Sequence, residues 1–203
     1  MTDNIFITII IPTIGRQTLS NAIKSLLEQD DNNWNAIIIF DGVKNIDLVN
    51  INDNRIKCIE IEKMNSAGYV RNIAFNHVSI TDWIGFLDDD DTISSDYISK
   101  LKYEIYLNPN IDVCIFRMGY ENGCILPNKS IRNILIGKVG ISFAIKKYII
   151  DTTKFQNSIY EDYIFLKELE KKKYKIIISS YTTYFVRNNP YKCDIYPKIL
   201  INF

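Results

Sequence analysis

Apolar residues enter this chain in short bursts, and the spacing inside each burst alternates between that of a strand and that of a helix. Residues 5–11 (IFITIII) are a continuous, mostly β-branched run, the pattern of a strand covered on both faces as in a parallel sheet. Pro12-Thr13-Ile14-Gly15-Arg16 breaks it. Leu19, Ala22, Ile23, Leu26 and Leu27 then recur at helical spacing and predict a helix over 17–29. Residues 36–40 (AIIIF) read as a second buried strand, stopped by Asp41-Gly42, and 56–61 as a third. Val70, Ile73, Ala74, His77 and Val78 share one face of a helix predicted over 67–78. A fourth strand, 83–87 (WIGFL), ends abruptly in four aspartates. A helix over 96–107 closes at Asn108-Pro109, and a fifth strand covers 111–118. Residues 120–140 are rich in turn formers, with Glu121-Asn122-Gly123 a hairpin turn. A last helix spans 161–173 with Ile164, Phe165, Leu166 and Leu169 inward, followed by a strand or hairpin over 175–187.

This order predicts an α/β domain built on a mostly parallel sheet. No internal repeat, low-complexity tract or linker divides it, so residues 1–203 are expected to form one domain. In such sheets ligands bind beyond the carboxyl ends of the strands, at a switch in strand order. Thr13, Asp41 and Asp88 to Asp91 all follow early strands, so they are expected along one edge.

Composition removes several chemistries. Lys+Arg and Asp+Glu number 24 each, a balance that argues against a nucleic-acid partner. The single histidine, His77, excludes multi-histidine zinc sites, and its apolar helical face predicts a packed core residue. Cys58, Cys114, Cys124 and Cys193 show no CxxC pattern and read as reduced, mostly buried thiols. No apolar run approaches the ~18–20 residues that span a bilayer. The first residues lack the basic region of a signal peptide. A cytoplasmic protein without a transmembrane segment is the expectation.

Three stretches carry chemistry. Phe86-Leu87-Asp88-Asp89-Asp90-Asp91 sets four carboxylates at a strand end, where they repel unless neutralised. Mg²⁺ or Mn²⁺, which favour hard oxygen ligands and phosphate, would neutralise them; a solvated acidic loop is the alternative. An EF-hand fits poorly, because Ile93 stands at the sixth position and Ser99 at the twelfth. Asn65-Ser66-Ala67-Gly68-Tyr69-Val70-Arg71-Asn72 opens a helix, and a guanidinium near a helix N-terminus suits a diphosphate. Tyr160-Glu161-Asp162 puts two carboxylates at a helix start, where they either complement the dipole or include a general base.

Together these pieces resemble the family 2 glycosyltransferases of the GT-A fold. The matches run in order: ITIIIPTIGRQTLSNAIKSLLEQ resembles the first strand, loop and helix, and IIIFDGV the second strand with its acidic end. NSAGYVRNIAFNHVSITDWIGFLDDDD resembles the glycine-arginine-asparagine helix and the strand leading to the DxD motif. YEDYIFLKEL resembles the later ED helix and TTYFVR the strand after it. The resemblance implies a Rossmann-like three-layer α/β/α domain. It also implies transfer of a sugar, with inversion, from a nucleotide-sugar donor, a UDP-sugar favoured. The acceptor, whether glycan, lipid or protein, stays open. Asp41 would sit near the base, with Thr13 and Arg16 bordering that pocket, and Arg71 would hold the nucleotide. Asp88 would face the ribose and, with Asp90, serve the metal, Mn²⁺ or Mg²⁺. Asp91 would shape the donor sugar site. Pro12, Gly68 and Asp89 fall in the same donor-binding set. Asp162 would deprotonate the acceptor, with Glu161 its neighbour or substitute.

Two other functions compete. A sugar nucleotidyltransferase would need a longer, glycine-rich phosphate loop than Pro12-Thr13-Ile14-Gly15-Arg16. A non-catalytic nucleotide-sugar-binding module would bind donor and metal without turnover. The aromatic stretch Tyr181 to Phe185 reads as strand packing, and Lys171-Lys172-Lys173 as a solvated helix end.

Overall fold

A computed structural model describes residues 4–43 and 52–187. The elements in chain order are β1 (Ile7–Thr13), α1 (Leu19–Leu27), β2 (Trp34–Asp41), β3 (Ile56–Ile61), α2 (Ala67–Phe75), β4 (Trp83–Phe86) and β5 (Thr92–Ile93). They continue with α3 (Tyr97–Leu107), β6 (Val113–Tyr120), β7 (Ile125–Leu126), β8 (Phe143–Lys146), α4 (Glu161–Lys171) and β9 (Ile176–Val186). One 3-10 turn, Lys147–Asp151, follows β8.

The strands form one mixed sheet in the order β3-β2-β1-β4-β8-β6-β9-β5, with β7 paired to β6. The first four are parallel, as the buried isoleucine runs of β1 and β2 predict for the centre of that group. Every residue of β1 is buried. The strand β8, unforeseen in the turn-rich stretch, inserts antiparallel between β4 and β6. The C-terminal strand is a single long one, not a hairpin. It runs parallel to β6 through two register shifts and turns its end to the two-residue β5. Those shifts bend the sheet and carry the tip of β9 back toward the acidic turn.

Pro12 does not break β1; it ends only one side of the pairing. Pairing with β4 stops at Ile10↔Phe86, whereas pairing with β2 continues to Thr13↔Phe40. A proline has no N–H for the next bond to β4. The two strands part there, and the acidic turn that follows β4 lies along the gap.

The core has two faces at β4. Phe86 packs with Phe75 of α2, Phe143 and Phe155, and Phe155 stacks on Phe165 of α4 at 4.3 Å between centroids. Its neighbour Gly85 faces Tyr97 of α3 instead. Helices therefore cover both faces, which completes the three layers. His77 is not a core residue: α2 ends at Phe75, and His77 lies half-buried in the turn beyond it. Cys58 and Cys114 are free, but Cys124 is disulfide-bonded, against the expectation of four thiols; Cys193 lies outside the described residues. No helix among the described residues is long and apolar enough to cross a membrane.

Candidate functional site

The carboxyl ends of β1, β2 and β4 open on a cleft of about 690 Å³. Pro12, Thr13, Arg16, Asp41, Arg71, Asp88, Asp89, Asp90 and Glu161 all line it. These residues come from five separate segments of the chain. Gly68, Asp91 and Asp162 do not line the cleft, and each has a different place.

The floor begins at β2. Asp41 is buried and accepts a bond from the Met64 amide at 2.5 Å, which ties the end of β2 to the segment after β3. Gly42 follows with φ +72°, and a Cβ there would sit 2.5 Å from the Cβ of Lys63. Only glycine fits that turn.

The α2 helix supplies the basic side. Ser66 caps it by accepting from the Tyr69 amide, and no acid stands in its first turn. Its N-terminal residues Ser66 and Ala67 line the cleft, so the positive end of the helix dipole borders it. The Arg71 guanidinium is almost wholly buried. It donates to Asp88 at 2.5 Å and to Glu161 at 3.0 Å, bridging the acidic turn to the start of α4. Burial would lower its pKa, but the charges of Asp88 and Glu161 hold it above the ordinary range. Gly68, one turn earlier, packs against the stretch before α4: a Cβ there would lie 3.0 Å from Phe155 Cβ and 3.1 Å from the Gln156 carbonyl. That close approach is what brings Glu161 within reach of Arg71.

The four aspartates are not equivalent. Asp89 turns inward, accepting from the Thr13 hydroxyl at 2.6 Å and from Arg16 at 2.6 Å. It fastens the acidic turn to the loop after β1. Asp88, Asp90 and Asp91 place one carboxylate oxygen each within 4.8 Å of one another. Three hard oxygen donors so close together suit Mg²⁺ or Mn²⁺. Burial, the Asp88 charge and the Asp89 charge push the Asp90 carboxyl up, against the pull of Arg16. Burial pushes Asp91 up to about 7, with Asp88 adding to it, although the Arg187 amide donates to its carboxylate at 3.0 Å.

Tyr184 of β9 is the residue that sequence reasoning passed over. Its buried hydroxyl accepts from the Asp88 amide at 3.1 Å and bonds the Asp91 carboxyl, so one side chain braces both ends of the acidic turn. The aromatic stretch was visible, but its partners lie 96 residues away for Asp88.

At the start of α4, Glu161 is engaged by Arg71, whereas among the described residues Asp162 receives only the amide of its neighbour Tyr163, at 2.6 Å. Burial pushes Asp162 up to about 6, and the charge of Glu161 adds to it. Gly140 lies beside it: a Cβ there would be 3.5 Å from the Asp162 carboxylate.

A family model described as glycosyl transferase family 2 matches residues 8–166. The chain belongs to that family. Its solved structural neighbours agree on the fold. S. aureus TarS 1-349 superposes with a TM-score of 0.73 at 17% identity, covering 90% of this chain and 60% of that one. The same TarS fragment in complex with UDP gives 0.73 at 18% identity, again over 90% and 60%. Its complex with UDP-GlcNAc gives 0.71 at 15% identity over 95% and 62%. The family 2 chain described here thus spans less than two thirds of these TarS structures. No match is found among curated protein sequences. The fold of this family 2 chain is the GT-A fold that its motifs imply, and the matched region takes in the acidic turn, Arg71 and Asp162.

Proposed function

We propose that this glycosyltransferase moves a sugar from a nucleoside diphosphate donor, UDP-linked by preference, to an acceptor hydroxyl with inversion. The observation that carries the reading is the pairing of a cleft lined by guanidiniums and carboxylates with Asp162, a carboxyl raised to about 6 and, among the described residues, bonded by no cationic side chain. The donor's diphosphate would lie between the N-terminus of α2 and the acidic turn, with the base toward Asp41. The UDP and UDP-GlcNAc complexes of TarS support that choice of donor.

The chemistry asks little of the protein beyond charge and position. The leaving UDP develops negative charge, and Arg71 with the α2 N–H groups would stabilise it in place. Asp90 and Asp88 would hold Mn²⁺ or Mg²⁺, with Asp91 in reach; the bound metal supplies positive charge to the same diphosphate. Asp162 would take the proton from the attacking hydroxyl, which is a poor nucleophile until that proton leaves. Glu161 is a weaker candidate for base because Arg71 already engages it. A base near 6 is ionised at neutral pH and still strong enough to accept a proton. A purely binding module has no use for such a group, and this favours the enzyme.

The test is UDP release from a panel of UDP-sugars in the presence of Mn²⁺ and candidate acceptors. Asp90→Asn is expected to lower turnover by about 10²-fold or more. Undiminished turnover in both Asp90→Asn and Asp162→Asn would overturn the assignment.

A further inference from the structure

We propose that Arg16 is a placeholder cation, competing with the divalent metal for Asp90 in the free enzyme and turning to the donor's phosphates once the metal is bound. The proposal rests on the reading of the cleft as a metal and nucleotide site, and adds a device that couples the two ligands.

The geometry points to it directly. Four successive carboxylates need counter-charge, and two guanidiniums provide it: Arg71 takes Asp88, and Arg16 takes Asp89 and Asp90. The two bonds of Arg16 are unequal, although one nitrogen, Nη1, makes both. That to Asp89 is 2.6 Å, to a carboxylate that is almost wholly buried and also held by Thr13. That to Asp90 is 3.2 Å, to a carboxylate about one-third exposed. Asp89 is therefore the hinge and Asp90 the partner that can be given up.

Asp90 also belongs to the group of three carboxylates that suits a metal. A divalent cation on Asp90 would repel a guanidinium whose Nη1 stands 3.2 Å from the same carboxylate. Arg16 must then leave Asp90 while keeping Asp89. Among the described residues, its Nε and Nη2 make no bond, and its side chain is about half exposed in the cleft. Those unused donors match a phosphate, which guanidinium groups bind through paired N–H bonds. Metal alone thus has to displace Arg16, whereas metal with a diphosphate gives Arg16 a new partner. The two ligands bind better together than apart.

Arg16→Gln separates the two roles, because they change in opposite directions. Manganese binding without nucleotide, read by electron paramagnetic resonance of free Mn²⁺, is expected to tighten by about two- to fivefold, the range carried by one exposed ion pair. UDP binding at saturating Mn²⁺, read by calorimetry, is expected to weaken by roughly tenfold or more. Arg16→Lys keeps the charge and should lie between wild type and Arg16→Gln in both. A merely structural arginine would weaken both ligands when removed, and that outcome, or unchanged Mn²⁺ affinity, overturns the proposal while leaving the nucleotide cleft intact. Wild-type protein that binds neither Mn²⁺ nor UDP would remove the cleft reading itself, and the Arg16 device with it.

Discussion

Asp162→Asn is expected to slow sugar transfer severely and, at neutral pH, to make the protein more stable. The two effects have one cause. Burial holds the Asp162 carboxyl at about 6 in place of its ordinary 3.8. The folded state therefore disfavours the ionised form that catalysis needs. The sign follows from linkage: well below pH 3.8 the group is protonated folded and unfolded, and contributes nothing. As pH rises, the unfolded chain ionises first, and the fold loses stability until pH passes about 6. Above that the loss is constant, on the order of 1–3 kcal/mol. Asparagine has the same shape and no charge, so the variant should unfold at a higher temperature at pH 8 and match wild type near pH 3.5. Transfer should fall by about 10²- to 10⁴-fold, the usual contribution of a general base. Wild-type turnover should itself climb as pH rises through about 6 and level off above it. Thermal unfolding at the two pH values, beside a pH–rate profile, checks all three. A variant no more stable than wild type at pH 8 would mean that Asp162 is better solvated than its surroundings indicate.

Arg71→Met should act in the opposite direction. The methionine fills much of the same volume but leaves Asp88 and Glu161 facing each other across a largely buried gap. Removing one member of a buried ionic cluster typically costs 3–5 kcal/mol, and the partial exposure of both acids here argues for about 2–4. In a chain of this size that lowers the midpoint by roughly 5–15 °C. The cause can be isolated. If uncompensated charge is responsible, adding Asp88→Asn and Glu161→Gln to Arg71→Met should recover most of the loss, since these sites share one network. If the triple variant is no more stable than Arg71→Met, the loss comes from packing against Phe155, over whose ring the guanidinium sits at 5.5 Å. Calorimetric or urea unfolding of the single and triple variants distinguishes the two.

What could be read in advance follows from how local each signal is. The parallel strands β1 and β2 announce themselves because burial on both faces forces uninterrupted isoleucine, and β3 appears within its predicted bounds. The acidic turn was visible because four carboxylates at a strand end need an explanation. Which of them faces which way was not, because that depends on Thr13 and Arg16, more than 70 residues earlier. Sequence reasoning put Gly68 with the donor-binding residues, whereas in the structure it sets the distance between α2 and the approach to α4. The strand β8 was missed because four residues in a turn-rich stretch become a strand only when β4 and β6 flank them. Tyr184 was grouped with its aromatic neighbours, and only the bend of β9 brings its hydroxyl to the acidic turn.

The central claim is that the cleft between Arg71 and the acidic turn receives a nucleoside diphosphate together with a metal. Thermal unfolding with UDP, GDP, CDP and dTDP, each with and without Mn²⁺, tests it most directly. A ligand present at ~100 times its dissociation constant adds about 2.7 kcal/mol, or roughly 5–10 °C for a chain of this length. The expected result is a shift with UDP that requires Mn²⁺ and disappears in Asp90→Asn. No shift with any of the four nucleotides, with or without Mn²⁺, would contradict a donor role for the cleft.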